Sequence, residues 1–492
     1  MRRFRVLLWG LLMVVSCRGG QERASDRLLR VAITIEPETT NPLQMTSADV
    51  IALFDNVFDA LLRYDVAGRV HPHLAKEWQA FEENQRFLFH LRDDVIFHHG
   101  ELLTAKDVVH TYQTYAQYSS RFALVESVEA LDTHIVEIRL RESSADFLNL
   151  VATTWIFSAS EGENPHSGTG AYRFVRYDAG RVVRLERFDD SFLHEAGLSY
   201  FEAVDFIIIK ESAGILLGLR SGAIDLAVQI DPTSLDNQMV DALQVILTPQ
   251  NLTVLLAMNH RVAPFNDKRV RQALNHAIDK ERLINLLFNG EAERLDTGMS
   301  PVLGAFYHHG LANFYPYNPE KAQELLQAAG YHEQNPLRFR VHVPSNYAIH
   351  LRNAEILATQ LSAVGVVMEI EAIEWASWLS EVYQGGKYQA TIVGLTGKLS
   401  AYQQLVRYSQ QSQTAFTGFT HQGFEESLHR ALRSTSFEEE VVAYHEAQAI
   451  LAQEAVALFL FDPWLAAVMR KDLRGWQMYP LRTFRVREYS LA

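Results

Sequence analysis

The chain has a single cysteine among its 492 residues, and that residue, Cys17, lies close to the N-terminus. The rest of the chain therefore cannot form an intramolecular disulfide, and its stability must come from packing. Glycine (26) and proline (14) are modest in number, and 48% of residues are apolar and 21% charged, which excludes collagen-like and disordered classes. At about 100 to 200 residues per domain, the length predicts at least two domains or lobes.

Positive charge is also scarce. The chain has 45 Lys and Arg against 59 Asp and Glu, which gives a formal net charge of −14 at pH 7. Nucleic-acid binding needs a basic face, so we predict no nucleic-acid partner.

A long apolar run is absent as well. The stretch from Val6 to Ser16 follows three arginines but is shorter than the roughly 20 residues that span a bilayer, which predicts a signal peptide over 1–16. Cys17 then stands where a bacterial lipoprotein signal, which this segment resembles, places its lipidated residue. The alternative is an incidental cysteine in a signal peptide that is cleaved nearby. Residues 17–28 are mostly polar and small, and they predict a flexible tether from the membrane to the folded body.

Motifs of catalysis and metal binding are missing too. The sequence has no GxSxG elbow, HExxH helix or P-loop, so we predict no catalytic residue and no enzyme, with a lipid-anchored hydrolase as the alternative class. The pairs His71/His73, His98/His99 and His308/His309 lack ligand spacing and suggest solvated loops. We predict neither cofactor nor metal site, although histidines from separate loops remain an open route to one. The Gly168-Thr-Gly170 segment lacks the third glycine of a dinucleotide fingerprint, and we interpret its glycines as flexible.

Strand and helix patterns alternate along the rest of the chain, which favours an α/β fold. Val31, Ile33 and Ile35 alternate as in a half-buried strand. Helices are predicted from Thr104 with a capping box to Asp107, from Lys268 to about Ile278, from the cap Asp279, and between the cap Asn318 and Gly330. Short apolar runs typical of covered strands occupy 206–209, 253–258, 339–343, 389–395 and 457–461.

Eight segments in this order resemble those of the bacterial family 5 extracellular solute-binding proteins, the dipeptide, oligopeptide and nickel receptors of ABC importers. They are LFDNVFDALLRYD (53–65), HPHLAKEW (71–78), FLFHLRDDVIFHHGELLTAKDVV (87–109), GTGAYRF (168–174), LRSGAIDLA (219–227), MNHRVAPFNDKRVRQALNHAIDKERLI (258–284), YNPEKAQELLQAAGY (317–331) and QLSAVGVVMEI (360–370).

The resemblance implies a two-lobed periplasmic-binding-protein-like fold with a cleft between the lobes. The first lobe would be discontinuous, comprising 29–255 plus 472–492 with a subdomain inserted at about 46–166, and the second would comprise 256–471. The implied function is capture of a peptide-like solute by an extracytoplasmic, lipid-anchored monomer in the periplasm. The implied partner is an ABC permease with its ATPase.

One segment departs from the family. Peptide receptors of this kind typically carry an aspartate shortly after the strand at 389–395, where it pairs with the ligand's α-ammonium. Here Thr391 to Tyr402 contains no acid, and Lys398 stands in the loop. A ligand ammonium facing Lys398 would be repelled, so the ligand is expected to be anionic, N-blocked or uncharged, unless Lys398 points to solvent.

The remaining candidates for the ligand site are aromatic or small polar residues, because such clefts are mostly apolar with a few directed polar groups. Each has a plainer interpretation as a core or capping residue. The complete predicted set is Thr40, Asn41, Trp155, Trp375, Trp378, Thr396, Lys398 and Tyr402. A non-peptide solute, such as a metal complex, a sugar or an anionic compound, is the alternative ligand.

Overall fold

The computed structural model describes residues 27–45, 47–162, 165–193, 200–412 and 416–492. The predicted signal peptide and Cys17 lie outside these ranges, as does nearly all of the tether. The described residues form the α/β fold that the sequence predicts.

Strands and helices alternate along most of the described chain. The strands are β1 (Leu28–Ile33), β2 (Leu62–Tyr64), β3 (Val70–Pro72), β4 (Ala75–Phe81), β5 (Arg86–Leu91), β6 (Val125–Asp132), β7 (Ile135–Leu140), β8 (Tyr172–Asp178), β9 (Val182–Arg187), β10 (Ala203–Ile208), β11 (Leu226–Ile230), β12 (Gln244–Pro249), β13 (Leu252–Met258), β14 (Ala292–Arg294), β15 (Arg338–Pro344), β16 (Val367–Ile373), β17 (Ala390–Thr396), β18 (Ala457–Met469), β19 (Leu473–Arg474) and β20 (Ser490–Leu491). The helices are α1 (Ala48–Phe54), α2 (Ala105–Tyr118), α3 (Phe147–Val151), α4 (Ser212–Ser221), α5 (Asn237–Ala242), α6 (Lys268–Ala277), α7 (Lys280–Phe288), α8 (Pro319–Ala328), α9 (Ala348–Ser362), α10 (Trp375–Ser377), α11 (Ala401–Leu405), α12 (Gln422–Arg433) and α13 (Phe437–Gln453).

The largest sheet runs through both lobes in the order β16-β15-β17-β13-β18-β11-β1-β10-β9-β8, and β12 and β14 also pair with β18. At one end β1 is parallel to β10 and β11, and at the other β15 is parallel to β16 and β17. We call β1 and β8–β12 with α1, α4 and α5 the first lobe. We call β13–β17 with α6–α13 the second lobe.

Strand β18 joins the lobes, because it is antiparallel to β13 of the second lobe and to β11 and β12 of the first. Its pairing with both lobes means that the strand ladder by itself does not divide them. The boundaries predicted at 255 and 471 therefore stay predictions.

A smaller four-stranded sheet, β4-β5-β7-β6, packs with α2 and α3 around a core of its own. We call this unit the subdomain. Its core also includes Leu399 from the second lobe and Tyr479 from the C-terminal segment, so three parts of the chain meet there.

Helix ends follow the local capping signals of the sequence. The Asn318 carboxamide accepts the Lys321 N–H at the start of α8, and Gly330 beyond its end has φ +92°. Asp107 accepts the Thr104 N–H in a capping box at 2.8 Å, and Asp279 accepts the Arg282 N–H at the start of α7. These predictions are confirmed.

Strand β1 is shorter than the alternation of apolar residues predicts. It ends at Ile33, and Ile35 lies in the following bend with 44% of its surface exposed. The two apolar residues that are covered, Val31 and Ile33, belong to the first-lobe core.

Three of the family-like segments meet at one buried carboxylate, Asp59. His73 Nε2 donates to it at 2.7 Å, and the Thr169 hydroxyl donates at 3.0 Å. Arg487, near the C-terminus, donates at 3.4 Å. Burial raises the pKa of Asp59, but His73, Arg487 and Thr169 lower it to about 2. Because the His73 side chain is only 5% exposed, its predicted solvated setting is wrong.

The glycines on either side of Thr169 are required by close packing. A Cβ on Gly168 would lie 1.8 Å from the Val57 carbonyl oxygen, and one on Gly170 would lie 2.3 Å from that of Asn56. The interpretation of these glycines as merely flexible is therefore replaced by a steric one, since they let the Thr169 segment pack directly on the Asp59 segment.

Candidate functional site

A cavity of about 480 Å³ lies where the two lobes, the subdomain and the C-terminal segment meet. That volume is within the usual range for small-molecule sites. Its walls come from distant parts of the chain. The lining includes Ala48, Ile51, Asp55, Tyr64, Arg121, Asn149, Thr153, Trp155, Gln229, Gln250, Asn251, Thr396, Lys398, Ser400, Gln403, Leu465, Trp476, Tyr479, Arg482 and Thr483.

The first-lobe wall is organised around Asp55, at the end of α1. Its two carboxylate oxygens accept bonds from the Trp155 indole N–H at 3.3 Å and the Thr483 hydroxyl at 2.5 Å. The Trp155 ring stacks on Phe58 with centroids 5.6 Å apart. Trp155 is therefore fixed in the wall by two contacts: its ring packs on Phe58, and its indole N–H has a partner in Asp55.

The C-terminal segment forms a second wall. Arg482 bonds to Asp49 of α1. The Arg485 guanidinium lies 3.9 Å from the centroid of the Tyr479 ring and 4.8 Å from that of Tyr64. These contacts hold the segment against the first lobe and the subdomain.

The loop after β17 is positioned by Asn251, which joins β12 to β13. The Asn251 amide donates to the Lys398 carbonyl at 3.3 Å and to the Pro480 carbonyl at 2.9 Å, so it connects two cavity walls. Gly397 donates its N–H to the Asn251 carbonyl at 2.6 Å, and a Cβ on Gly397 would come within 2.0 Å of the Asn251 side chain. Glycine thus permits the approach that places Lys398 at the cavity.

A second buried acid lies in β18 and binds the turn between β12 and β13. Asp462 in β18 accepts the Gln250 N–H at 2.9 Å and the Ser300 hydroxyl at 2.7 Å. It is fully buried. Burial raises the pKa of Asp462 to about 7, against the lowering effect of Ser300 and the backbone N–H groups of 250–252.

The described lining carries more positive than negative side chains. Arg121, Lys398 and Arg482 are cationic, and Asp55 is the one acid among the described lining residues. The Lys398 side chain is partly exposed, and it has no hydrogen bond or ion pair to any part of the chain that the structure describes. Burial lowers the pKa of Lys398, and so do the charges of Arg407 and Arg121.

Three of the predicted site residues, Trp155, Thr396 and Lys398, lie together in the cavity lining. Thr396 ends β17, and its carbonyl accepts a bond from Arg407 at 2.5 Å. Their roles in binding stay predictions.

The other two predicted tryptophans lie away from this lining. Trp378 is buried in the second-lobe core and donates its indole N–H to the Thr391 hydroxyl at 2.9 Å. Trp375 stacks on it with centroids 5.1 Å apart and is 37% exposed. The prediction that both follow the strand ending near Ile373 is confirmed, but the structure does not bring them to the cavity.

The remaining predicted residues also lie outside the lining. Tyr402, on α11, is half-buried against the second-lobe core. Asn41 accepts the Leu43 N–H at 3.0 Å in the turn after β1, and Thr40 precedes it.

For several lining residues, nothing in the sequence indicates that they belong to the site. Asp55 lies in a segment that otherwise reads as amphipathic helix, and Arg121 follows the end of α2. The stretch from Trp476 to Thr483 did carry a signal, since it is aperiodic and contains Trp476, Tyr479 and Pro480 between two strands.

Histidines do not assemble a metal centre in the described part of the chain, which has no group of three or more His, Cys, Asp or Glu side chains arranged to hold an ion. The His308 and His445 rings, from separate segments, do stack with centroids 4.6 Å apart. His98 donates to the Gly170 carbonyl at 2.9 Å, and burial lowers its pKa to about 4.

Two α/β lobes joined at β18, with a cavity between them, define a solute-binding protein of the periplasmic type. The sequence profile of the bacterial extracellular solute-binding proteins, family 5 middle, matches residues 69–415, well over half of the chain. The chain belongs to this family.

Similar proteins match along nearly the whole chain. The probable di/tripeptide-binding protein 5 of Pseudomonas aeruginosa (strain UCBPP-PA14) is 26% identical, covering 93% of this chain and 94% of its own. The probable ABC transporter periplasmic-binding protein SapA of Escherichia coli (strain K12) is 27% identical, covering 97% and 96%. The unliganded open form of MppA, a periplasmic murein tripeptide binding protein, has the same fold with a TM-score of 0.84 at 20% identity, covering 95% of this chain and 98% of MppA.

Among the described residues, no helix combines the length and the apolar character needed to cross a bilayer.

Proposed function

We propose that this chain is an extracytoplasmic receptor that captures a peptide-like solute between its lobes and delivers it unchanged to an ABC permease with its ATPase. The observation that carries the proposal is the 480 Å³ cavity whose walls belong to both lobes and to the subdomain. A ligand that touches all of these walls has more contacts in a closed arrangement than in an open one, so binding favours closure. The di/tripeptide-binding and ABC-transporter relatives support the assignment.

The two lobes that would move relative to each other are defined as follows. We assign 29–255 plus 472–492 to the first lobe, with an insertion at about 46–166 that contains the subdomain, and 256–471 to the second. With these bounds the chain passes between the lobes in β13, near 255, and after β18, near 471. A non-peptide solute is the alternative ligand, and the absence of an acid from 391–402 favours it.

Ligand recovery and scattering test the proposal. Small molecules that co-purify from native membranes, released by denaturation and identified by mass spectrometry, should include an intact peptide-like compound. Returning that compound to the emptied protein should reduce the radius of gyration in X-ray scattering and raise the melting temperature. Chemical turnover that disappears when an acidic pair is mutated would instead indicate the hydrolase.

A cavity-filling variant supplies the matched control. Thr396 is exposed and lines the cavity, so Thr396→Trp should fold and lose the scattering and thermal responses. Thr359→Trp, on the exposed face of α9, should keep both. Equal responses in the two variants would place binding elsewhere.

We further propose that a lipid on Cys17 holds the receptor at a bacterial membrane. Cys17→Ser should release or mislocalise the protein, whereas Ser25→Ala in the tether should not. Membrane fractionation and intact mass report the two outcomes. A wild-type protein without acyl mass at residue 17 would contradict the lipid anchor and leave the receptor assignment untouched.

A further inference from the structure

Two cations from different parts of the fold line the same cavity. Arg121 follows α2 in the subdomain, and Lys398 lies in the loop after β17 of the second lobe. Burial lowers the pKa of Lys398 most, and the charges of Arg407 and Arg121 lower it further. Arg121 is therefore close enough to Lys398 for the two charges to repel each other. Bringing the subdomain towards the second lobe therefore concentrates positive charge at this point.

The structure fixes the Arg121 side chain and the backbone of Lys398 without neutralising either charge. The Arg121 guanidinium donates to the Thr153 hydroxyl at 3.1 Å, and Thr153 in turn donates to the Asn149 carbonyl at 2.9 Å. Asn251 and Gly397 fix the backbone of the Lys398 loop. Neither cation forms an ion pair with a described residue.

The acids in the neighbourhood are already engaged. The charge of Asp146 favours the protonated form of Arg121. The Asp146 carboxylate, however, accepts a bond from the Asn149 amide at 3.1 Å and interacts with the Ser400 and Gln403 side chains. Asp55, on the first-lobe wall, accepts from Trp155 and Thr483. Neither is bonded to Arg121 or Lys398.

We propose that an anionic group of the ligand, a carboxylate or a phosphate, binds between Arg121 and Lys398 and bridges the subdomain and the second lobe. This inference rests on the proposed receptor function and names the chemistry of its ligand. An anion at this position replaces a repulsion between the two units with two charge-assisted contacts, and it thereby couples binding to closure. The ligand group bound by this loop would then be negative, whereas the resemblance to peptide receptors implies a positive α-ammonium there.

Four probes of equal length separate the possible charges. They are trialanine, its N-acetyl derivative, its C-terminal amide, and the form blocked at both ends. Calorimetry on the emptied full-length protein should find that the N-acetyl acid binds about ten- to a hundredfold more tightly than the doubly blocked peptide, as expected for a charge-assisted contact. Equal affinities of these two probes would overturn the anionic site and leave peptide binding intact.

Variants then assign the contact. Lys398→Gln and Arg121→Gln should each remove most of the preference for the acid, and Lys398→Arg should keep it. Lys398→Asp, which restores an acid to the loop, should prefer the free-amine amide. The control variants Lys387→Gln and Arg338→Gln remove exposed charges from residues that do not line the cavity, and they should bind like wild type. An unchanged preference in Lys398→Gln and Arg121→Gln contradicts the site.

Failure of all four peptides would contradict the peptide-like part of the proposed function but still leave the anion site testable. Thermal melts with succinate and with inorganic phosphate should then show stabilisation that Lys398→Gln abolishes, and the stronger of the two identifies the preferred anion. No stabilisation by either would overturn the inference.

Discussion

Charged side chains are arranged differently in the Asp59 network and at the cavity. Asp59 is buried with a partner at each oxygen, since His73 and Arg487 approach one and Thr169 the other. Arg121 and Lys398 line the cavity with no carboxylate partner among the described residues. Burial of a charge for folding requires compensation inside the chain, whereas a charge left uncompensated at a cavity is available to a ligand.

The second lobe repeats the paired arrangement. Lys280 donates to Asp296 at 2.6 Å and to the Leu295 carbonyl at 2.8 Å, and Arg294 donates to the same carboxylate at 3.1 Å. The contrast is therefore between folding cores and cavity, and not between one lobe and the other. This contrast predicts that substitutions of paired charges in the cores lower the stability strongly, and that substitutions of the unpaired cations at the cavity change it little.

Removing the carboxylate of Asp59 should have the largest effect. Asp59→Ala leaves His73 and Arg487 buried without their shared partner, and we expect the free energy of unfolding to fall by about 3–5 kcal/mol. Denaturant unfolding measures the loss, and Asp241→Ala on an exposed helix position is the control. A loss below about 1 kcal/mol would show that the network is not a folding element.

Asp462 should give the next largest effect, as a dependence on pH. Its pKa in the folded protein, about 7, exceeds the ordinary value of 3.8, so the folded state holds the proton more tightly than the unfolded state. The stabilising contribution is present below about pH 4 and is lost as pH rises through 7. The total is up to about 4 kcal/mol.

Asp462→Asn should remove this dependence while keeping the hydrogen bonds, because its carboxamide can accept the Gln250 N–H and donate to the Ser300 hydroxyl. The difference in stability between wild type and variant, measured from pH 4 to 8, should grow in favour of the variant as pH rises. Asp241→Asn supplies the baseline. Parallel curves for wild type and Asp462→Asn would mean that Asp462 stays ionised in the fold.

Local signals explain which elements of the fold were predictable. Asn318 and Asp279 cap helices because their side chains accept a backbone N–H three residues on, and Asp107 accepts the Thr104 N–H three residues back; the sequence itself brings these groups close. The apolar runs at 253–258 and 457–461 likewise lie inside β13 and β18. The identity of the neighbouring strands is not local, and no pattern along the sequence predicts it.

The cavity was less predictable, since its walls converge from many separated stretches of chain. Position at the end of β17 pointed to Thr396 and Lys398, and both line the cavity. The same reasoning applied to Trp378 did not lead to the cavity, because its N–H is satisfied inside the core by Thr391. Arg121 reaches the site only through the packing of the subdomain, which spacing along the chain does not encode.

A steric change in the Asp59 region should have an intermediate effect. Gly168→Ala places a methyl group against the Val57 carbonyl, and overpacking of this kind costs about 1–3 kcal/mol. Gly423→Ala, whose added methyl would lie 3.2 Å from a side-chain atom of His421 and meets no backbone atom so closely, is the control and should change the melting temperature little. An unaffected melting temperature for Gly168→Ala would imply that the Thr169 segment can shift without disturbing Asp59.

The smallest effect, and the sharpest contrast with Asp59, is expected from Lys398→Gln without ligand. Removal of a cation that has no described partner and that is repelled by Arg121 and Arg407 should leave the stability unchanged or raise it by up to about 0.5 kcal/mol. Because the repulsion is electrostatic, any gain should appear at low ionic strength and shrink towards 1 M salt, where the screening length is about 3 Å. Melting temperatures of wild type, Lys398→Gln and Lys387→Gln across a salt series measure it. A loss above about 1 kcal/mol would show that Lys398 serves the fold as Asp59 does. The distinction between paired charges in the cores and the unpaired cations Arg121 and Lys398 at the cavity would then no longer hold.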